Sequence, residues 1–186
     1  LANSTMCVSI AGMLAVGPSV AQTIAERMTE ASPVGFSQAF LGFCIQNNAD
    51  PSRTLTIAES LKLEKVPEEF KALVAPPDPS AEFHGFAVNE GEGAPFLLGI
   101  VFSKFDDEEM ASCTIANPYI ESAPVASALL DMAELEDLVF DETQMGQRTR
   151  IWDTSGFVEG SMIILLDSEK MGIGGATLSF VRPREK

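Results

Sequence analysis

Few side chains in this 186-residue sequence are equipped for chemistry, and each has a competing structural role. His84 is the only imidazole. It lies in Glu82-Phe83-His84-Gly85-Phe86, where strand alternation sets it opposite Phe83. A general base needs a partner within hydrogen-bond reach, and Ser103, Ser112 or Asp153 would have to be brought there by the fold. Arg148, Arg150 and Trp152 alternate and so share one strand face, with Thr149 and Ile151 on the other. Two guanidiniums beside the only indole make a candidate ligand or partner face for an anionic or aromatic molecule. The competing role for those arginines is pairing with acids across strands. Gly172-Ile173-Gly174-Gly175 lies between two strand-like runs rather than opening a helix, so it reads as a hairpin turn and not a phosphate loop. No Walker, nucleophile-elbow or zincin motif is present, and no residue set is assigned a catalytic role.

The cysteines are more informative. There are three, at positions 7, 44 and 113. Phe36, Phe40 and Cys44 fall at i, i+4 and i+8, which sets Cys44 on the core-facing stripe of a helix. Ala111, Cys113 and Ile115 fall on one face of a strand. Both sulfurs then face one core, and the pair reads as a disulfide, Cys44–Cys113, with two buried thiols as the alternative. No C-x-x-C motif and no basic or histidine neighbour in sequence point to redox activity. With one His and three Cys, a multi-ligand zinc site is excluded in most forms, and no metal or cofactor is expected.

The elements that must position these groups follow from composition and periodicity. The chain is 46% hydrophobic with mean hydropathy +0.14, enough for a packed core and too apolar for a disordered acidic tail. Val34 to Asn47 and Ser52 to Leu63 read as helices, and Pro67-Glu68-Glu69 as a further helix start. Strands follow at Phe83 to Asn89, Phe96 to Phe105 and Met110 to Ala116, the second apolar enough to be covered on both faces. A helix is expected from Ala123 to Leu138, then strands at Gln147 to Asp153, Ser161 to Asp167 and Ala176 to Arg182. The expectation is an α+β fold: N-terminal helices packed on an antiparallel sheet, with one inserted helix.

Charge is concentrated in the middle of the chain. The whole sequence carries −15, and the stretch from Asp78 to Glu142 holds 15 acids against one base, Lys104. Such a balance argues against nucleic-acid and anionic-membrane partners. Asp106, Asp107, Glu108 and Glu109 form a charged hairpin tip, a candidate acidic face for a cationic partner. Asp131, Glu134, Glu136, Asp137, Asp141 and Glu142 form a second cluster. Neither has the spacing of a calcium loop, and the plain reading of both is a solvated surface.

Residues 1–21 are uncharged, and Met6 to Val16 is apolar or small throughout. With Gly17-Pro18 and Ser19-Val20-Ala21 behind it, this run reads as a signal peptide cleaved after Ala21. It is shorter than a membrane span, so no membrane insertion is expected once it is removed. The alternative is a buried N-terminal helix. The domain division is therefore 1–21 leader and 22–186 a single α+β domain. Removal of the leader takes Cys7 with it and leaves an even pair.

The pattern Phe36-x3-Phe40-x3-Cys44, an apolar strand near Phe96 and a second cysteine in Ser112-Cys113-Thr114 resembles small exported proteins of alphaproteobacteria. The resemblance covers Phe36 to Ala116 and implies a periplasmic or secreted location with one disulfide, and no catalytic residues. The reading that results is an exported, disulfide-stapled acidic domain that binds a cationic protein or a small ligand, or supports an assembly. Two rivals belong to other classes: a small hydrolase-type enzyme using His84, and an inhibitor or immunity-type protein with an acidic docking face.

Overall fold

The computed structural model describes residues 24–47, 49–91, 93–135, 138–167 and 175–184. The run read as a signal peptide, Cys7, Glu136, Asp137 and most of the segment 172–175 read as a hairpin turn lie outside them. The fold is mixed α+β, built on one eight-stranded antiparallel sheet. Its strands are β1 (Glu64–Lys65), β2 (Glu82–Val88), β3 (Phe96–Phe105), β4 (Glu108–Asn117), β5 (Leu138–Gln144), β6 (Gln147–Asp153), β7 (Met162–Asp167) and β8 (Ala176–Pro183). The spatial order is β1-β2-β3-β4-β8-β7-β6-β5. The first four strands form a meander. The last four start at the far edge and return, so that β8 closes against β4.

Helix α4 (Ser122–Ala133) makes the crossing from β4 at the centre to β5 at the edge. Helices α1 (Ile24–Met28), α2 (Pro33–Phe40) and α3 (Pro51–Ser60) precede the sheet in sequence. Both α2 and α3 begin with proline at the first position, behind a side-chain cap. Ser32 Oγ accepts from Gly35 N and Asp50 Oδ1 from Ser52 N, 2.9 Å each. Beyond Phe40 the helix widens into a π turn over Leu41–Ile45, with Gln46 N donating to Leu41 O at 2.8 Å. The four-residue spacing Phe36-Phe40-Cys44 overshoots a 3.6-residue turn, and the wider turn brings it back. Phe36, Phe40 and Cys44 are accordingly all buried.

The sheet has two different faces. On the front, Phe86, Phe96, Leu98, Ile100, Cys113, Ile115, Phe180 and Leu178 meet Phe36 and Phe40 of α2, Ala58 of α3, and Val125 and Leu129 of α4 in one core. Among the described residues, the back face carries a smaller cluster at one end. There a 3-10 turn (Glu68–Leu73), followed by Val74, packs with Met28 against Leu97 and Ala116. Gly99 of β3 makes this close approach feasible, since a Cβ at that position would lie 2.7 Å from Val74 O. Cys44 and Cys113 form a disulfide with 5.4 Å between their Cα atoms, joining the π turn to the middle of β4.

Three expectations about elements are corrected. The helix expected through Leu138 ends at Ala133, where Glu134 turns left-handed (φ 48°, ψ 42°). Glutamate carries no sequence signal for that conformation, which glycine or asparagine usually supplies. The residues beyond it form the unexpected strand β5, whose Asp141, Glu142 and Thr143 carry the polar guard of an edge strand rather than an apolar alternation. The segment after Pro67 is 3-10, and a two-residue strand β1 precedes it. Among the described residues no helix is long and apolar enough to cross a membrane.

Candidate functional site

Antiparallel register decides which sequence candidates meet. Trp152 pairs with Ile163, Ile163 with Phe180, Phe180 with Cys113, and Cys113 with Ile100. This row runs along the front face, so Trp152 faces the helices and is only 3% exposed. Arg150 lies one row away, level with Leu165 on one side and Asp141 on the other. Arg148 is level with Asp167 and Thr143. The three residues do share one strand face.

Carboxylates occupy that face with them. Arg148 Nε and Nη2 donate to Asp141 Oδ1 and Oδ2 at 2.7 Å each, a bidentate fork. That bond holds the Asp141 carboxyl below the ordinary aspartate range and pushes the Arg148 guanidinium up. Arg150 is buried, with Nη2 3.6 Å from Asp167 Oδ2. Asp167 in turn accepts from Ser122 Oγ at 2.9 Å, at the start of α4. The candidate ligand face thus holds two ion pairs: an exposed Arg148–Asp141 fork between β6 and β5, and a buried Arg150–Asp167 pair that reaches Ser122 of α4.

His84 is level with Ile100, also on the front face, and Nε2 lies 2.9 Å from Glu82 Oε1. Its ring sits edge-on to Phe102, 6.4 Å between centroids. The polar residues expected as partners are not on its side. Ser112 is level with Val101 and Val181, and Asp153 with Met162, in a single back-face row; Ser103 has the same parity as Val101. The sheet therefore stands between the imidazole and all three. A strand's two-residue period fixes this, and only the register reveals it.

The acidic residues form a tight hairpin tip. Asp106 and Asp107 take positive φ (47° and 69°) between β3 and β4, and Glu108 and Glu109 open β4. All four are exposed. Asp107, Glu108 and Glu109 edge an open groove of about 720 Å³ that also takes in Lys104, Glu159, Arg182 and Arg184. Of the second acidic cluster, Asp141 belongs to the arginine network already described. Among the described residues no group of three His, Cys, Asp or Glu side chains converges to hold a metal ion.

One constellation escaped the sequence reading. At the end of β8, Arg182 and Arg184 repeat the i, i+2 spacing of Arg148 and Arg150. With Arg53 of α3 they line a cavity of about 320 Å³, together with Asp50, Pro51, Ser52 and Ala111. Three of the six arginines of a chain carrying −15 are gathered there. A signal did exist. Arg53 is the third residue of α3, at the positive end of the helix dipole, where a cation is disfavoured. A local choice that opposes its own element marks a site for scrutiny.

Comparison with protein-family models, with curated proteins and with solved structures finds no match to this chain.

Proposed function

We propose that this chain is an exported binding domain whose working surfaces are held on a disulfide-stapled frame. The observation that carries the reading is the Cys44–Cys113 bridge, which links the helical layer to a central strand across 69 positions. Disulfides of this structural kind belong to oxidising compartments, and the uncharged apolar run before Ala21 is the type of segment that directs a chain there. The resemblance to small exported alphaproteobacterial proteins agrees with that address. On the domain, the N-terminal helices pack on the sheet, and the surfaces offered to a partner are the acidic hairpin tip and the arginine-lined cavity beside it. The partner class is a cationic protein or a small ligand.

The test is the intact mass of protein expressed with its own N-terminal segment in place, with and without reductant and thiol labelling. Loss of residues 1–21, a mass deficit of about two hydrogens and no labelling before reduction are the expected results. An uncleaved product with labelling-competent thiols would sink the reading.

A second reading, a small hydrolase using His84, has one observation in its favour: the imidazole is oriented by Glu82 at 2.9 Å. It requires His84→Ala to abolish a hydrolytic activity. The binding reading expects that substitution to leave partner capture intact, while charge reversal at Asp106 to Glu109 weakens capture in a salt-dependent way.

A further inference from the structure

We propose that the cleft between residues 72–76 and the back face of the sheet binds a compact neutral molecule, an apolar body carrying one hydroxyl or carbonyl oxygen. This goes beyond the exported-domain reading, because it depends on the cleft alone and holds in any compartment. Gly99 makes the cleft possible. The segment that follows the 3-10 turn comes down on the sheet at Val74, where a Cβ at position 99 would lie 2.7 Å from Val74 O. Beside that contact, the same segment and strands β4 and β8 bound a space of about 300 Å³. Register lays out its floor. Thr114 is level with Ser179, Ser112 with Val181, and Thr177 with Leu166. Their chain neighbours Cys113, Leu178 and Phe180 belong to the front core, so these six side chains stand on the back. Hydroxyls are gathered on β4 and β8, with Val181 and Leu166 beside them.

The charge and hydrogen-bond inventory of the lining selects the ligand. Among the described residues no side chain lining the cleft is a carboxylate, an amine, a guanidinium or an imidazole, although 21% of the chain is charged. An ion entering would shed water without meeting an opposite charge. An anion is opposed further by the net −15 of the chain. A purely apolar ligand would leave the hydroxyls dry. Thr114 is buried, and its Oγ1 lies 2.8 Å from Ser179 Oγ. One of the two hydroxyls donates to the other, so one O–H of the pair is left to donate, and among the described residues neither makes a further hydrogen bond. A single ligand oxygen accepting from that O–H, with the body of the molecule against Val74, Val181 and Leu166, satisfies both characters of the lining. The space is at the small end for organic ligands, so the molecule must be compact.

Amide NMR titration of the oxidised, isotope-labelled full chain tests the proposal with three probes of one shape: p-methylbenzyl alcohol, p-xylene and p-toluate. Saturable shifts are expected with the alcohol, at the amides of Thr114, Thr177 and Ser179. p-Xylene lacks the oxygen and should bind roughly threefold to tenfold more weakly, the scale of one hydrogen bond, and p-toluate more weakly than either. Ser179→Ala should bring the alcohol to the level of p-xylene and leave p-xylene unchanged, a split that a loss of stability would not produce. Thr177→Phe fills the cleft with a side chain suited to a strand and should abolish binding, its folded state being checked by the unfolding midpoint. No saturable shift with the alcohol up to about 10 mM would mean that the cleft holds water only, and would overturn the proposal. So would shifts that map elsewhere, binding that persists undiminished in Thr177→Phe, equal losses of alcohol and p-xylene in Ser179→Ala, or either companion probe binding as tightly as the alcohol.

Discussion

Two arginine pairs stand on the same face of the same sheet, with the same spacing, and have different surroundings. Arg148 and Arg150 on β6 lie among carboxylates: Asp141 grips one bidentately, and Asp167 lies 3.6 Å from the other. Arg182 and Arg184 at the end of β8 are oriented by backbone carbonyls and an aromatic ring, and they line a cavity. A guanidinium whose partners are side-chain carboxylates is part of the frame. Arg182 and Arg184 border open space on both sides, the cavity beside α3 and the groove behind the acidic hairpin tip. Spacing on a strand decides that two charges share a face; what lies opposite decides what they are for.

Both pairs rest on the frame that the disulfide closes, so its loss carries the largest expected effect. Cys44→Ala/Cys113→Ala should cost roughly 4 kcal/mol on the loop-entropy account of a 69-position bridge. Urea unfolding followed by Trp152 emission measures it, since the single tryptophan is buried in the same core. A cost below about 1 kcal/mol would mean that packing alone holds the helical layer to the sheet.

The comparison itself is broken or upheld by the next pair of substitutions. Asp167→Ala removes the β7 carboxylate from beside a buried guanidinium and from the Ser122 hydroxyl, and should destabilise by about 3 kcal/mol. Arg184→Ala gives up a stacking contact at the rim and should cost no more than about 1 kcal/mol. Equal costs for the two would erase the distinction between a carboxylate-bound pair and one that borders open space. The same urea curves, run side by side, decide it.

The smallest effect is local and set by pH. The Arg148 fork lowers the Asp141 pKa in the folded chain. Its stabilising contribution is therefore fully present above the unfolded aspartate value of about 3.9, and is lost as pH falls through the lower folded value. In an NMR titration the Arg148 Nε–H should hold its shift to below about pH 4 and then move. In Asp141→Asn that acid step should vanish. A step that remained would assign the titration to another carboxylate.

The legible parts of the fold were those where local signal and tertiary role coincide. The existence of α2 and α3, the long strand Phe96–Phe105 and the facing positions of Cys44 and Cys113 all follow from spacing and side-chain type. Strand β5 was hidden because an edge strand is selected for charge, and Asp141 and Glu142 read as a solvated cluster. The end of α4 was hidden because Glu134 takes a left-handed turn with no glycine to announce it. At the candidate site, the shared face of Arg148, Arg150 and Trp152 was readable, and so was the pairing of the arginines with acids across strands; which acids, Asp141 and Asp167, only the register decided.

The sequence by itself determined the acidic charge, the core-facing positions of Cys44 and Cys113, the mixed α+β composition and which residues of each strand lie on one side. Those are properties of composition and of the two- and 3.6-residue periods. Only the tertiary structure decided that β8 closes against β4, that His84 and the polar residues expected beside it lie on opposite faces, and that Arg53 meets Arg182 and Arg184. Each is a contact between segments far apart in the chain. No local period encodes such contacts, because they follow from the order in which strands pair and from the register at which they do so.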